Sequence, residues 1–290
     1  KKTDRNEFEG CGQELDDLAA FGVWHPYEEV ERLRLLLAEE DAAGAARLAD
    51  ELEETCGGSM RNDPYIWSYI GRVRYREGKN DEAYAVWTRV LNDYPDYYQA
   101  KTGAVSCLME KGRYWQAREW MMEILELDGR DEEILSRLKE ANEALITRLQ
   151  ENPEYHEEGK DIPAGEGAIE LAWCLFQNER LDETIRYLEN YTPEEGQEYS
   201  YTNLFGRVLY QAERYQEARP YLEEWLRMIT GTVDDGTQEN QRRRSRLGRA
   251  LYILGGCCYQ LGEQEDAAAY VERAAKEADS QQERMGYRQY

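Results

Sequence analysis

Proline is scarce in this chain, 7 in 290 residues, and histidine scarcer still at 2. Few prolines leave long stretches free to run as helix. The two histidines, His25 and His156, stand within metal-ligand spacing neither of a cysteine nor of each other, so no metal site is expected. The cysteines, at 11, 56, 107, 174, 257 and 258, form no Cys-x-x-Cys pair. Cys257 and Cys258 are helix neighbours about a hundred degrees apart and cannot chelate one ion together. Buried free thiols are the simpler reading; they suit a reducing compartment and so a cytoplasmic protein. No apolar run approaches the ~20 residues of a membrane span, and no secretory signal is visible. Basic charge is short too, with 36 Lys and Arg against 60 Asp and Glu, a net −24. A field of that sign repels phosphate backbones and anionic lipid, so nucleic acid and membrane are poor partners. Its simplest use is to keep a long helical protein in solution. The chain opens on Lys1-Lys2 without methionine, and a native segment is expected to precede it.

What is present points to helices. Hydrophobic residues make up 41% of the chain, enough for a buried core. The length is too great for one small core, a limit that a stack of short units escapes because each needs only its neighbours. The 22 tyrosines need a place to go. The organising stretch is Pro64 to Tyr97, PYIWSYIGRVRYREGKNDEAYAVWTRVLNDYPDY. Its spacing describes two antiparallel helices joined at Gly78-Lys79-Asn80. Trp67, Ile70, Gly71 and Arg74 share one stripe of the first helix, and Ala83, Trp87 and Val90 one stripe of the second. Small residues at Gly71 and Ala83 let the backbones approach, the tryptophans fill the space around the crossing, and Pro95 stops the second helix.

In chain order, 1–25 reads as a mixed, polar lead-in. Residues 26–60 give two helices without the aromatic signature, a degenerate hairpin or N-terminal cap. Two units occupy 64–131: Gly112, Ala117, Met121 and Ile124 repeat Gly78, Ala83, Trp87 and Val90 after thirty-four residues. In the second, Lys101 replaces the tryptophan and Val105 the glycine, so a looser crossing is expected. Residues 132–164 read as a lone helix, EEILSRLKEANEALITRLQ, and an acidic loop, a broken unit or a spacer. The pattern returns over 165–232, with Ala172, Leu175, Thr184 and Leu188, then Phe205, Gly206, Leu209, Ala218, Leu222 and Trp225. A slip in the period at 233–247 is an insertion made up of the end of GTVDDGTQENQ and the start of the next helix. A last copy at 248–281 and a polar tail at 282–290 close the chain.

The thirty-four-residue pattern resembles the tetratricopeptide repeat family at nearly every diagnostic position of 64–131 and 165–279. The resemblance implies an all-α fold, a right-handed superhelix or solenoid of antiparallel helix pairs, and a bacterial repeat protein or the repeat region of a larger one. It also implies that the first helices line a concave groove for a peptide or a partner's helix. The places that face inward in the family fall here on Tyr65, Ser68, Arg72, Tyr75 and Arg76. Later copies put Trp173, Phe176 and Gln177 there, then Asn203, Arg207, Tyr210 and Gln211, and last Arg249, Tyr252, Tyr259 and Gln260. The 98–131 copy is the exception, with Gln99, Thr102, Ser106, Met109 and Glu110. Arginine and tyrosine dominate binding hot spots because each joins contact area to directed hydrogen bonds. The expected ligand is a protein or peptide segment bearing acidic and aromatic groups.

Narrower readings fail on particular residues. Some family members clamp a chaperone's C-terminal carboxylate with lysine and asparagine; Ser68, Arg72 and Gly103 stand at those places here. Gly71 to Gly78-Lys79-Asn80 mimics a phosphate loop, but its spacing is too long and Asn80 replaces Ser or Thr. His25-Pro26 is followed by Tyr27, not the aspartate of a J domain. His156-Glu157-Glu158 is a weak cation site at best, and the abundant carboxylate pairs are uninformative as acid–base couples. Arg242, Arg243, Arg244, Arg246 and Arg249 crowd the last repeat's start as a solvated basic face. The chain is expected to be a non-enzymatic interaction scaffold without cofactor or metal. Two other readings stay open: the accessory region of a larger enzyme or co-chaperone whose active domain precedes residue 1, and a self-associating, homo-oligomeric stack.

Overall fold

Four helices begin where a side-chain acceptor precedes an apolar stripe. Asp63 accepts from the backbone N–H groups of Tyr65 and Ile66, both at 3.0 Å, with Pro64 in the first helical position. Asp41 caps Gly44 N–H at 2.9 Å, and Asp131 caps Ile134 N–H at 3.0 Å. His25 has the same job, accepting from Tyr27 N–H at 3.2 Å ahead of Pro26.

The computed structural model describes residues 15, 17, 25–58, 60, 63–127, 129, 131–231 and 238–277. Among them are thirteen helices: α1 Pro26–Ala38, α2 Ala42–Cys56, α3 Pro64–Arg76, α4 Asn80–Asp93, α5 Tyr98–Glu110, α6 Tyr114–Leu127, α7 Glu132–Glu151, α8 Ala164–Gln177, α9 Leu181–Glu189, α10 Glu198–Gln211, α11 Tyr215–Thr230, α12 Gln238–Gln260 and α13 Gln264–Glu277. Two short strands, β1 Tyr155–Glu157 and β2 Lys160–Ile162, pair antiparallel between α7 and α8. Nearly all of the 1–25 lead-in, residues 233–237 of the insertion, the 282–290 tail, Cys11 and the side chains of Arg242 and Arg243 lie outside the described residues. The chain forms two compact units, Lys1–Ala141 and Asn142–Tyr290, divided within α7.

One turn geometry closes six helical hairpins. The residue after the first helix adopts a left-handed conformation, and the next N–H reaches back five residues to a free carbonyl. These bonds are Asp41 to Leu36, Lys79 to Arg74, Arg113 to Leu108, Arg180 to Leu175, Arg214 to Leu209 and Glu263 to Cys258, all 2.9–3.0 Å. Gly78, Gly112 and Gly262 take the left-handed place in three of them. Glu40, Glu179 and Glu213 hold it in the others, with φ of 63°, 61° and 60°.

In the first unit, Trp87 of α4 is the central packing element. It is 3% exposed and donates its indole N–H to the Ser68 carbonyl at 3.1 Å. A Cβ on Gly71 of α3 would stand 2.6 Å from that indole, and one on Gly103 of α5 only 2.4 Å from its other atoms. The indole is therefore wedged between two helix backbones. Trp67 packs in the same core, its N–H on the Met60 carbonyl at 3.0 Å and the Arg89 guanidinium 3.6 Å over its ring. Helix α5 is shared: Ala100, Ala104 and Cys107 join this core, while Val105 and Leu108 join a second one with Met121, Ile124, Ile134 and Leu138. Arg74, expected on the packing stripe, is buried there and donates to Asp50, Glu53 and Glu77 at 2.6, 2.7 and 3.0 Å. In the second unit, Leu188, Leu204, Phe205, Leu222, Trp225, Leu251 and Leu254 form one continuous core.

Two segments depart from the sequence reading. The stretch after α7 is a hairpin as well as a loop. Its cross-strand pair Tyr155 and Ile162 is buried, and Gly159 turns the chain with φ +84°. Strands of three residues are too short to show the alternation that marks a strand. His156 bonds Asp161 across the hairpin at 2.9 Å. The stretch 238–247 is helical and continuous with the last repeat's first helix, so α12 runs 23 residues. The sequence reading started that helix after Gln241, and the polar residues Gln238 to Gln241 ahead of it show no apolar period.

Many of the tyrosines form aromatic rungs. Tyr65 meets Tyr27 edge-on at 5.8 Å and Tyr69 at 5.3 Å, and Tyr84 stacks on Trp120. Tyr187, Tyr191, Tyr201, Tyr221 and Phe205 make a larger set in the second unit. Burial pushes the Tyr65 and Tyr201 phenols up to about 12, and Tyr155 and Tyr187 in the same direction. The five described cysteines are free and buried, and burial raises Cys107 and Cys257 to about 11.

Trp87→Ala should cost about 3–5 kcal/mol in denaturant unfolding through the cavity it leaves. Gly71→Ala gains about 1 kcal/mol of helix propensity, yet the blocked indole should turn that into a net loss of up to about 2 kcal/mol. A Trp87→Leu background should remove the Gly71 penalty. Separately, a phenol whose folded pKa exceeds its unfolded value stabilises the fold fully below pH ~10 and loses that contribution as pH rises towards 12. Circular dichroism should therefore show unfolding across pH 10–12, with tyrosinate absorbance rising in step.

Candidate functional site

The first unit holds a cavity of about 420 Å³ between α3, α5 and the start of α7. Period and register build it. Arg72, Tyr75 and Arg76 come from one face of α3, Gln99, Thr102 and Ser106 from the matching face of α5, and the edge of Trp87 forms part of its wall. Tyr75 is half-buried, with burial first and Glu110 second raising its phenol, which donates to Glu110 at 3.3 Å. Arg137 of α7 donates to Ser106 Oγ at 2.6 Å and pairs with Glu133 at 3.0 Å. Arg72 is exposed and makes no ion pair or hydrogen bond among the described residues. Arg76 is partly committed: it donates to the Leu37 carbonyl at 2.7 Å, closing the last turn of α1, where a cation also meets the negative end of the helix dipole.

Tyr65 is placed elsewhere. It packs toward α1, donating to Glu31 and sitting between Tyr27 and Tyr69, away from the cavity. Residues that the sequence reading did not pick complete the lining: Tyr69, Tyr98, Gly103, Glu133 and Arg137. Tyr69, Gly103 and Arg137 hold one common place in three successive first helices, thirty-four residues apart. That shared place was the available signal.

In the second unit the expected residues form two adjacent groups. Trp173 and Phe176 of α8 and Arg207 of α10 make a cluster, with the guanidinium carbon 5.2 Å from the indole centroid and 5.4 Å from the phenyl centroid. The two rings lie 6.0 Å apart at 61°. Burial lowers the Arg207 pKa to about 10, and the charge of Arg249 on α12 pushes the same way. Asn203, one turn earlier on α10, has its side-chain oxygen buried without a partner. One turn further along α10, Tyr210 enters a second cavity, of about 1050 Å³, with Tyr252 and Tyr259 of α12 and Ala267, Ala268 and Val271 of α13. Tyr210 crosses α12 at Gly256, where a Cβ would stand 2.4 Å from the phenol oxygen. Tyr259 is 61% exposed at its rim. Of the basic run, Arg244, Arg246 and Arg249 are all exposed, and Arg249 is the member whose charge acts on Arg207.

Among the described residues no group of His, Cys, Asp and Glu could hold a metal ion. No described helix is long and apolar enough to cross a membrane.

Two stretches match tetratricopeptide repeat family models, residues 74–141 and residues 241–283. Among solved structures the chain is similar to a tetratricopeptide repeat protein from Parabacteroides merdae, 14% identical, covering 90% of this chain and 96% of that one with a TM-score of 0.39. It is also similar to YrrB, a TPR protein described as having an unusual peptide-binding site, at 13% identity, 82% and 97% coverage and a TM-score of 0.35. Pseudomonas aeruginosa pilF is similar at 13% identity, 91% and 96% coverage and a TM-score of 0.32. No curated protein matches the chain.

The position of Tyr65 separates packing from binding. Tyr65→Phe should destabilise the first unit by about 0.5–1.5 kcal/mol through the lost bond to Glu31, read by thermal or denaturant unfolding, and should leave the affinity of any cavity ligand unchanged.

Proposed function

The chain carries tetratricopeptide repeats, and from that premise we propose that it is an interaction scaffold holding a peptide or partner segment in tyrosine- and arginine-lined grooves. One observation carries the reading. In a chain with 60 acidic side chains against 36 basic ones, the first-unit cavity presents Arg72 uncommitted beside Tyr69, Tyr75 and Tyr98. An arginine left without an acid in so acidic a protein is available to an acid from outside. The tyrosines give area and hydrogen bonds at low ordering cost, and helices on both sides hold the cavity open before anything binds. The ligand class is a protein or peptide segment with acidic and aromatic groups. Its role is binding, not catalysis.

Calorimetric titration of short peptides carrying Glu and Tyr tests this. Arg72→Glu should weaken binding at least tenfold, about 1.4 kcal/mol, and Tyr75→Ala by a similar factor, with unfolding midpoints little changed for Arg72→Glu. Unchanged affinity in both variants would sink the groove.

A further inference from the structure

Among the described residues, several buried or half-buried cations meet carboxylates. Arg74 meets three carboxylates, Lys101 pairs with Glu123 at 2.8 Å, and Arg180 with Glu143 and Glu183 at 3.0 and 2.7 Å. Arg214 pairs with Glu189 and Glu217, and Arg219 with Glu223 and Glu263. With so many acids available, an inward cation ordinarily finds one. Arg207 does not. Two aromatic rings stand beside it, the charge of Arg249 acts on it with like sign, and neither arginine makes a hydrogen bond or ion pair among the described residues.

We propose that Arg207, walled by Trp173 and Phe176, is the receptor for a single carboxylate of a bound peptide. The rings satisfy the guanidinium's faces and strip water from it, while cation–π attraction leaves the N–H fork to a planar, two-oxygen acceptor. Arg249 supplies a second positive charge, so an incoming carboxylate relieves a repulsion between like charges as well as forming bonds. The chain's own net charge of −24 holds off polyanions at long range and leaves a lone carboxylate among apolar groups as the anion best suited to enter. Asn203 narrows the class. Its buried oxygen, one turn before Arg207, lacks a hydrogen-bond donor, and a peptide brings an amide N–H together with its acid. Inorganic phosphate at neutral pH brings mainly acceptors. Tyr210, one turn further along α10, lines the tyrosine-rich cavity, which would receive the ligand residues next to the acid. The inference deepens the groove reading, resting on it only for the ligand's being a peptide, and it concerns the other unit of the chain.

The test uses the full chain labelled with 15N-arginine, the Arg207 Nε–Hε resonance being identified by its loss in Arg207→Lys. The probes are acetyl-Glu-Tyr-amide, acetyl-Gln-Tyr-amide and inorganic phosphate, each taken into the millimolar range. The Glu probe should move the Arg207 resonance, with the Gln probe and phosphate each at least tenfold weaker. Arg249→Gln should weaken the Glu probe about tenfold and leave the Gln probe unaffected. Arg207→Met should abolish discrimination between the two peptides while raising Tm by about 2–4 °C, since it removes a desolvated charge that has no partner in the free protein. Equal binding of the Glu and Gln probes, tighter binding of phosphate, or a silent Arg207 resonance would each overturn the carboxylate receptor. So would a lower Tm in Arg207→Met, which would make the arginine a packing residue. Each of these results leaves the first-unit groove standing, whereas loss of that groove shows only in the Arg72 and Tyr75 variants.

Discussion

The contact on which the first unit depends is an indole held between two helix backbones. Trp87 comes within reach of Gly71 on one side and Gly103 on the other, and its N–H finds the Ser68 carbonyl. A side chain that large, contacting the helix before it and the helix after it, fixes two spacings at once. The distance between α3 and α5 is then set by the thickness of an aromatic ring. The cavity that carries Arg72 and Tyr75 lies over the same junction and includes the edge of Trp87 in its lining. Scaffold and proposed binding surface are therefore two faces of one packing decision.

Charge obeys a second constraint. An excess of acids makes it easy to neutralise a cation brought inward, and Arg74 shows the usual result. Burial opposes its charge, but Glu53, Asp50 and Glu77 outweigh that and hold it above its ordinary range. Arg207 is also desolvated but lacks such partners, so its pKa moves the other way. The difference lies in what surrounds each guanidinium: carboxylates around one, aromatic faces and a like charge around the other. Stability alone would favour the first arrangement at both places.

The architecture was legible because it is periodic. Gly78, Ala83, Trp87 and Val90 recur thirty-four residues on, and a period repeated through several copies overrides the ambiguity of any one helix. The hairpin at 155–162 was not legible, since its packing rests on one cross-strand pair, Tyr155 with Ile162, too short a signal for periodicity. Nor was the first turn of α12, Gln238 to Gln241, whose polar residues look like a solvated linker. At the site, the sequence pointed to Arg72, Tyr75, Arg207 and Tyr210 through their places in the repeat. It misdirected Tyr65, because a phenol facing a neighbouring glutamate and one facing a ligand read the same in one dimension. It passed over Arg137, because the helix carrying it belongs to a unit whose second half is not a helix. Gly103 was read only as a missing polar group, when its use is to make room for a ring.

The hairpin turns bear on how the chain assembles. Where glycine takes the left-handed place, the turn is an unstrained conformation that a short helical segment can adopt before anything packs against it. At Glu40, Glu179 and Glu213 the same turn holds a side chain in a region disfavoured by about 1–2 kcal/mol. Those three turns need the packing of their helix faces to hold them, whereas the glycine turns of α3–α4, α5–α6 and α12–α13 do not. The order in which repeats form along this chain would then be written in six residues that touch neither the core nor the groove.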